Sequence, residues 1–263
     1  MIKYTGKSFK QKSIIWDITD ICNYKCSYCQ SANNKTQKIV PDLIENINKI
    51  ENGIIFLYGG EPTLFNGYEY ILDNIKISKG LYSNMSKDLT CLQDSNISKI
   101  ICSFHYSQQS KEKFLENISK IEDKIFFTIN VMLENEHHKE IVDFYKELVK
   151  RYGNRRVSLR LIIQKKYYDS IDILKYKDYL SSYDYFCNDK RIIFNGNLFS
   201  QINTKGFECD ICQYMVFLSN DGTISPSCNQ ISKNIKDINK LRKIICKGTC
   251  SIPQILIGSK RKI

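Results

Sequence analysis

The stretch SIIWDITDICNYKCSYC, residues 13–29, joins an apolar strand pattern to three closely spaced cysteines. Residues 13–20 are mainly β-branched and aromatic, which predicts a β-strand. Cys22, Cys26 and Cys29 follow it at once, with three and then two residues between them. Thiolates at this spacing can each bind one iron of a cubane cluster and leave the fourth iron without a protein ligand. An open metal position of this kind is typical of a catalytic site.

Apolar and amphipathic runs alternate from this first strand to about residue 183. Further strands are predicted at 53–61, 79–84, 99–107, 124–133 and 157–164, and helices at 39–52, 68–77, 110–123, 136–153 and 169–183. Six strands separated by helices indicate parallel βαβ units with right-handed crossovers. We therefore expect an α/β fold, a partial (β/α)6 TIM-like barrel whose chemistry lies on the loops after its strands.

The pattern changes after about residue 187. RIIFNGNLFSQI, residues 191–202, reads as strand and turn, and Asn-Asp-Gly at 220–222 separates two apolar runs in a way that predicts a hairpin. We expect a core domain at residues 1–187 and a small cysteine-rich extension of hairpin and helix at residues 188–263.

Eleven cysteines occur in this chain of 263 residues, which has no apolar run long enough to span a bilayer and no signal-peptide pattern. We therefore expect a cytoplasmic protein with no membrane partner. Clustered cysteines in a reducing compartment indicate metal or catalytic sites rather than disulfides. Cys91, Cys102 and Cys187 lie apart from the clusters, and we expect them to be small buried hydrophobic residues.

Five cysteines of the extension form a second group: Cys209, Cys212, Cys228, Cys246 and Cys250. The C-x2-C spacing at the start of this group suits zinc as well as an iron–sulfur cluster, so zinc held by four cysteines stays open. The first group lacks the nearby fourth cysteine or histidine that a structural zinc site needs.

A second distinctive loop, Gly59-Gly60-Glu61-Pro62-Thr63, follows the predicted strand at 53–61. With the C-x3-C-x2-C motif and its aromatic Tyr28, this GGEP sequence resembles the signature of the radical S-adenosylmethionine (SAM) superfamily. The resemblance covers about residues 12–185 and implies a [4Fe–4S] cluster on the three early cysteines. The open iron would chelate the amino and carboxylate groups of SAM.

The resemblance also implies roles for the motif residues. Gly59, Gly60 and Glu61, followed by Pro62, would receive the methionine amino group of SAM, because glycine permits close backbone approach. Tyr28 would lie beside the adenine. Reductive cleavage of SAM would give a 5′-deoxyadenosyl radical that removes a hydrogen from the substrate.

The resemblance also implies that polar residues of the later strands hold the ribose and carboxylate of SAM. On the later predicted strands the candidates are Ser103, Asn130 and Arg160. An inward-facing arginine needs a carboxylate partner, which SAM or a substrate could supply.

The second cysteine group resembles the twitch extension, a short form of the SPASM domain. This resemblance implies a second, auxiliary [4Fe–4S] cluster bound by Cys209, Cys228, Cys246 and Cys250, with Cys212 as alternate ligand or hydrogen donor. The match departs from the pattern in two ways. Five thiols exceed four ligands, and Gly222 stands one residue further from Cys228 than is usual.

Radical SAM proteins with such extensions commonly modify ribosomally made peptides, so we expect peptide cross-linking, epimerisation or oxidation. A radical SAM oxidoreductase or rearrangement enzyme for a sugar or nucleotide is the alternative. An iron–sulfur or zinc protein that binds nucleic acid is the alternative from another class, prompted by the net charge of +11. Nucleic acid is not favoured, because the lysines form no basic cluster interleaved with aromatic residues. An acidic flavodoxin or ferredoxin is the expected electron donor.

Overall fold

The computed structural model describes residues 11–29, 38–134, 136–161, 179, 191–194, 197–200, 207–209, 214–226, 233–241, 244–245 and 260–262. Six strands form its centre: β1 (Lys12–Thr19), β2 (Gly53–Gly59), β3 (Ser78–Ser83), β4 (Ile97–Phe104), β5 (Phe127–Leu133) and β6 (Val157–Leu161). They lie side by side in chain order, and every neighbouring pair is parallel. The predicted α/β architecture of a partial barrel is confirmed.

Four helices connect the strands: α1 (Leu43–Asn48), α2 (Tyr68–Asn74), α3 (Lys111–Ser119) and α4 (His138–Tyr152). Ser110 caps α3 by accepting a hydrogen bond from the Lys113 backbone N–H. Gly153 ends α4 with a φ of 83°, which favours glycine. The predicted helix at 169–183 lies outside the described residues except for residue 179.

Helix α1 is shorter than the predicted range of 39–52. Pro41 and Asp42 form a turn before the helix, and Asp42 occupies the N-cap. At the other end, Asn52 has a φ of 50° and leads directly into β2, so the helix closes before it. Proline therefore precedes the first turn here instead of lying within it.

Each strand has one face against the helices and one face turned away from them. Ile14, Trp16 and Ile18 of β1 are completely buried in the core that includes Leu43 and Ile47 of α1. Because side chains alternate along a strand, the residues between them belong to the opposite face. We call that opposite face of the sheet the inner face.

The C-terminal part continues the central sheet beyond β1. Eight further short strands follow in the described part of the chain: β7 (Arg191–Phe194), β8 (Asn197–Ser200), β9 (Phe207–Cys209), β10 (Met215–Leu218), β11 (Thr223–Pro226), β12 (Lys233–Asn234), β13 (Ile244–Ile245) and β14 (Lys260–Lys262). β7 and β8, in the stretch predicted as strand and turn, form an antiparallel pair, and β9 lies between β13 and β14. β12 pairs with β11 at the edge of the central sheet.

Strands β10 and β11 form an antiparallel hairpin, with Gly222 at a φ of 82° in its turn. This confirms the predicted hairpin. β10 also pairs in parallel with β1, from Ser13 opposite Met215 to Trp16 opposite Leu218. This pairing joins residues about two hundred positions apart and was not predicted.

The isolated cysteines differ from one another. Cys102 is buried in the core, as predicted, but Cys91 is exposed, so the prediction for Cys91 is wrong. Cys91 lies on a 3-10 turn at Thr90–Asp94 whose buried residue is Leu92. Cys187 lies outside the described residues. No helix in the described ranges is long and apolar enough to cross a bilayer.

Candidate functional site

The three early cysteines lie on a loop at the carboxyl end of β1, which we call the cysteine loop (residues 22–29). All three thiols are free; Cys22 and Cys26 are half-buried and Cys29 is exposed. The Cys29 backbone N–H donates to the Cys26 carbonyl at 3.0 Å, and the Tyr24 N–H donates to Cys22 Sγ at 3.4 Å. Short local hydrogen bonds therefore shape the loop, while its thiols stay accessible to a ligand.

The double glycine at the end of β2 packs against the chain that enters the cysteine loop. The Gly60 N–H donates to the Thr19 carbonyl at 2.5 Å, and the Glu61 N–H donates to the Ile21 carbonyl at 2.7 Å. A Cβ on Gly59 would overlap the Thr19 carbonyl oxygen, and a Cβ on Gly60 would overlap that of Ile21. Glycine is required here because two backbone segments touch. The resemblance implied glycine here for close approach of SAM. The structure shows a second reason for glycine, the close approach of the segment before Cys22.

Glu61 lies beneath this turn and is completely buried. Its carboxylate accepts hydrogen bonds from Thr63 Oγ1 at 2.7 Å, Ser83 Oγ at 3.1 Å and the Asn84 backbone N–H at 2.7 Å. Burial raises the pKa of Glu61, and these hydrogen bonds oppose the rise. Pro62 begins a 3-10 turn (Pro62–Leu64) that Glu61 caps. The carboxylate therefore ties the end of β2 to the end of β3.

Asn84 carries this connection onward to the cysteine loop. Its side-chain amide Nδ2 donates to Asn23 Oδ1 at 2.9 Å and lies 3.8 Å from Cys22 Sγ. The position of Asn84 at the end of the third strand was predicted, but Asn84 was not selected as a site residue. Its contact with the cysteine loop joins residues 61 positions apart, which no local pattern reveals.

Tyr28 and His105 form a second connection on the other side of the cysteine loop. The Tyr28 hydroxyl lies 2.7 Å from His105 Nδ1 and 3.3 Å from Oε1 of Glu134, while Cys26 Sγ lies 3.6 Å from the same Nδ1. Burial lowers the pKa of His105 to about 4 and raises that of the Cys26 thiol to about 11. Tyr28 was predicted to lie beside adenine. The structure gives its hydroxyl a place in a network that includes Glu134, a residue that was not predicted.

The three polar residues predicted on the later strands lie together on the inner face. Ser103 of β4 and Asn130 of β5 are cross-strand partners. Arg160 of β6 donates from Nε to Asn130 Oδ1 at 3.2 Å. All three side chains are half-buried on the inner face.

Aromatic side chains cover the neighbouring part of the inner face. The rings of Tyr58 and Tyr82 meet edge to face at 5.2 Å, and Phe56 meets Tyr82 at 5.9 Å. Tyr58 is 39% exposed. Asp17 faces Tyr58 across β1 and β2, and burial together with the charge of Asp20 raises the pKa of Asp17 to about 6. The alternation of aliphatic and aromatic residues in β2 was the available signal for this surface.

The donor set suits a cluster better than a single ion. Among the residues that the structure describes, no three cysteine, histidine, aspartate or glutamate side chains converge on one point to hold one metal ion. A [4Fe–4S] cluster spreads its thiolates over separate irons, so three free thiols around one loop fit it. The predicted second site cannot be described in the same way. Cys209 ends β9, and Cys212, Cys228, Cys246 and Cys250 lie outside the described residues.

No protein-family model and no curated protein sequence matches the chain. Solved structures match its fold. Hexahistidine-tagged anSMEcpe with bound AdoMet, another abbreviation for SAM, has a TM-score of 0.53 and 18% identity over 86% of this chain and 75% of that chain. Native anSMEcpe with bound AdoMet and Kp18Cys peptide has a TM-score of 0.55 and 17% identity over 86% of this chain and 78% of that chain. At this identity the likeness shows the fold alone.

Proposed function

We propose that this chain is a radical SAM enzyme. Cys22, Cys26 and Cys29 would hold a [4Fe–4S] cluster, and the inner face would hold SAM and the substrate from which a hydrogen is removed. One observation carries this proposal: three free thiols lie on one loop at the carboxyl end of β1, and the segment that leads into this loop is hydrogen-bonded to the Gly59–Gly60 turn of β2. The fold is shared with structures that contain bound AdoMet, which supports the same assignment.

The bound cluster and SAM would supply one-electron cleavage of the sulfonium and the hydrogen-abstracting power that follows. The residues of the chain itself hold the cysteine loop and the glycine turn in position. The Gly59–Gly60 turn fixes the segment before Cys22 through two backbone hydrogen bonds. Glu61, buried and fully occupied by Thr63, Ser83 and Asn84, supports that turn from below. We therefore propose that the carboxylate of Glu61 positions the turn. The backbone of the turn itself would contact SAM.

Arg160 and Asn130 provide the complementary polar surface for SAM. A guanidinium can bind a carboxylate through two parallel hydrogen bonds, and Nε already uses one donor on Asn130. Ser103 lies beside Asn130 across the strand pair. Ser103 and Arg160 lie next to the last residue of their strands, where barrel enzymes place their ligands, and Asn130 lies at the middle of β5 between them. We propose that they bind the carboxylate and ribose of SAM.

A ribosomally made peptide is the substrate class that we favour. The solved anSMEcpe structure with bound Kp18Cys peptide supports this choice. The aromatic surface of Tyr58 and Tyr82 also offers apolar contact area beside the cysteine loop. A sugar or nucleotide substrate is the competing proposal, and the reaction products decide between them.

A second [4Fe–4S] cluster on the extension belongs to the proposal. Hairpin β10–β11 begins three residues after Cys212 and ends two residues before Cys228. Because its strands are antiparallel, the chain enters and leaves the hairpin at the same end. This arrangement supports a shared site for those two cysteines. A flavodoxin or ferredoxin with an acidic surface would deliver electrons to a chain of net charge +11.

The test is metal content after anaerobic reconstitution, measured as iron, sulfide and zinc per chain, together with 5′-deoxyadenosine formed from SAM. The Cys22/Cys26/Cys29→Ala variant should contain about four fewer irons and form no deoxyadenosine. Cys91→Ala, which changes an exposed cysteine outside both groups, is the matched control and should equal wild type. Unchanged iron in the triple variant would refute the proposal. Zinc retained in the triple variant would assign zinc to the extension.

A further inference from the structure

The ring of His105 is held in one orientation beside the cysteine loop. The Tyr28 ring lies in a nearly parallel plane, with 6.0 Å between ring centroids and 17° between the planes, and Tyr24 meets the His105 ring edge-on at 6.0 Å and 75°. This packing directs Nδ1 at two atoms, the Tyr28 hydroxyl oxygen at 2.7 Å and Cys26 Sγ at 3.6 Å. The proton on Nδ1, or its lone pair, therefore faces both the Tyr28 oxygen and the sulfur.

The hydrogen-bond partners of Tyr28 indicate whether Nδ1 of His105 carries a proton or a lone pair. A tyrosine hydroxyl has one proton to donate, and an ionised carboxylate can only accept. Oε1 of Glu134 lies 3.3 Å from the Tyr28 hydroxyl and also accepts the Ser107 backbone N–H at 3.2 Å. When Tyr28 donates to Glu134, its oxygen must accept from His105. Nδ1 then carries the proton.

The sulfur of Cys26 favours the same arrangement. A cysteine that binds a cluster is a thiolate, and a thiolate repels the bare lone pair of the other tautomer. Only the Nδ1–H form satisfies Tyr28, Glu134 and Cys26 together. Hydrogen bonds to cluster sulfurs stabilise the more negative, reduced state and so raise the reduction potential.

We infer that His105 is a positioning residue whose single Nδ1–H is shared, in a three-centre hydrogen bond, between the Tyr28 hydroxyl oxygen and the Cys26 thiolate, with its tautomer set by Tyr28 and Glu134. This inference rests on the proposed function, because it needs a cluster on Cys26. It gives this chain a means of adjusting the cluster potential through His105 and Glu134, which are not among the proposed iron ligands.

The test is a redox titration of the reconstituted full-length chain, followed by electron paramagnetic resonance of the reduced cluster. His105→Leu removes the donor and should shift the midpoint potential to a more negative value. His105→Asn keeps an amide N–H near the position of Nδ1 and should restore a potential close to wild type. Equal potentials in the two variants would overturn the inference.

A second pair of variants tests the part of Glu134. Glu134→Gln and Glu134→Ala both remove the negative charge, but glutamine keeps an oxygen that the Ser107 N–H holds toward Tyr28. Glu134→Ala leaves Tyr28 free to donate to Nδ1, so its potential should lie below that of Glu134→Gln. The same potential in both variants would refute the role of Glu134 and Tyr28 in setting the His105 tautomer, even if a His105 variant failed to fold. A wild-type chain that binds no iron would refute the proposed function itself, and this inference with it.

Discussion

Trp16 donates a hydrogen bond of 2.8 Å from its indole Nε1 to Oδ1 of Asn220. The side-chain amide of Asn220 donates to the Ile18 carbonyl at 3.0 Å. The backbone carbonyl of Asn220 accepts the Val40 N–H at 3.0 Å. Asn220 is 3% exposed. Asn220, in the hairpin turn, thus provides hydrogen-bond partners for the Trp16 indole, the Ile18 carbonyl and the Val40 N–H. Two of these bonds connect the C-terminal hairpin to β1.

Asn220→Ala should therefore destabilise the chain by about 3 kcal/mol, because it leaves buried polar groups of β1 without partners. Urea unfolding of the full-length chain measures the change. Asn96→Ala, at an exposed asparagine, is the control and should cost less than about 0.5 kcal/mol. A loss for Asn220→Ala no larger than that of the control would contradict the anchoring described above.

Gly60→Ala should destabilise the chain by about 3 kcal/mol. The added Cβ would overlap the Ile21 carbonyl oxygen, and a backbone atom cannot move away by a change of rotamer. Gly153→Ala is a useful contrast, because a Cβ there meets nothing within 4 Å and only the φ of 83° opposes it. That strain costs about 1 kcal/mol. Thermal unfolding of both variants separates overlap from backbone strain, and equal losses would argue against a tight turn at Gly60.

Asp17→Asn should stabilise the chain at neutral pH. The folded-state pKa of Asp17 is raised from 3.8 to about 6 by burial and by the charge of Asp20. A raised carboxyl pKa means that the folded state binds the proton more tightly, so stability falls as pH rises from about 4 to about 6. Without solvent screening the effect at pH 7 would be about 3 kcal/mol. The side chain is only partly surrounded by protein and keeps much of its contact with solvent, so we expect about 1 kcal/mol.

Urea unfolding at several pH values between about 4 and about 7.5 checks this sign. The gain of Asp17→Asn over wild type should shrink as the pH falls toward the lower limit. Asp94→Asn, at an exposed position, should stay close to wild type in stability. A gain for Asp17→Asn that grows on acidification would show that the sign is wrong.

Arg160→Met should raise the KM for SAM about tenfold if Arg160 binds the SAM carboxylate, since a charge-assisted hydrogen-bond pair is worth about 1.4 kcal/mol or more. Deoxyadenosine formation at varied SAM concentration measures it. Arg155→Met removes an exposed arginine of the turn before β6 and should not change KM. An unchanged KM in the Arg160 variant would assign this residue to the substrate instead.

The strand order and the two motif loops followed from the sequence because both depend on local patterns. β1 and β2 carry apolar alternation, and turn-forming or cysteine residues follow each of them directly. The helices were predicted for the same reason, although α1 was placed too long because its apolar spacing continues past Asn48. In the candidate site, local order placed Cys22 and Gly60 on neighbouring loops, as found.

What could not be predicted depends on residues far apart in the chain. The contact of Tyr28 with His105 spans 77 positions, and the pairing of β10 with β1 spans about two hundred. Periodicity reports which face of an element is buried but not which partner covers it. Cys91 illustrates the same limit: an isolated cysteine suggested burial, but the 3-10 turn that carries it exposes it.

The parallel pairing of β10 with β1 also protects the protein from self-association. Without the C-terminal hairpin, the main-chain N–H and C=O groups along that side of β1 would be unpaired, in a strand that reads KSIIWDIT. An apolar, uncovered strand edge recruits strands from other molecules and leads to aggregation. A chain shortened before β10 should therefore precipitate even with its cysteine loop intact, which makes the hairpin a solubility requirement of the barrel.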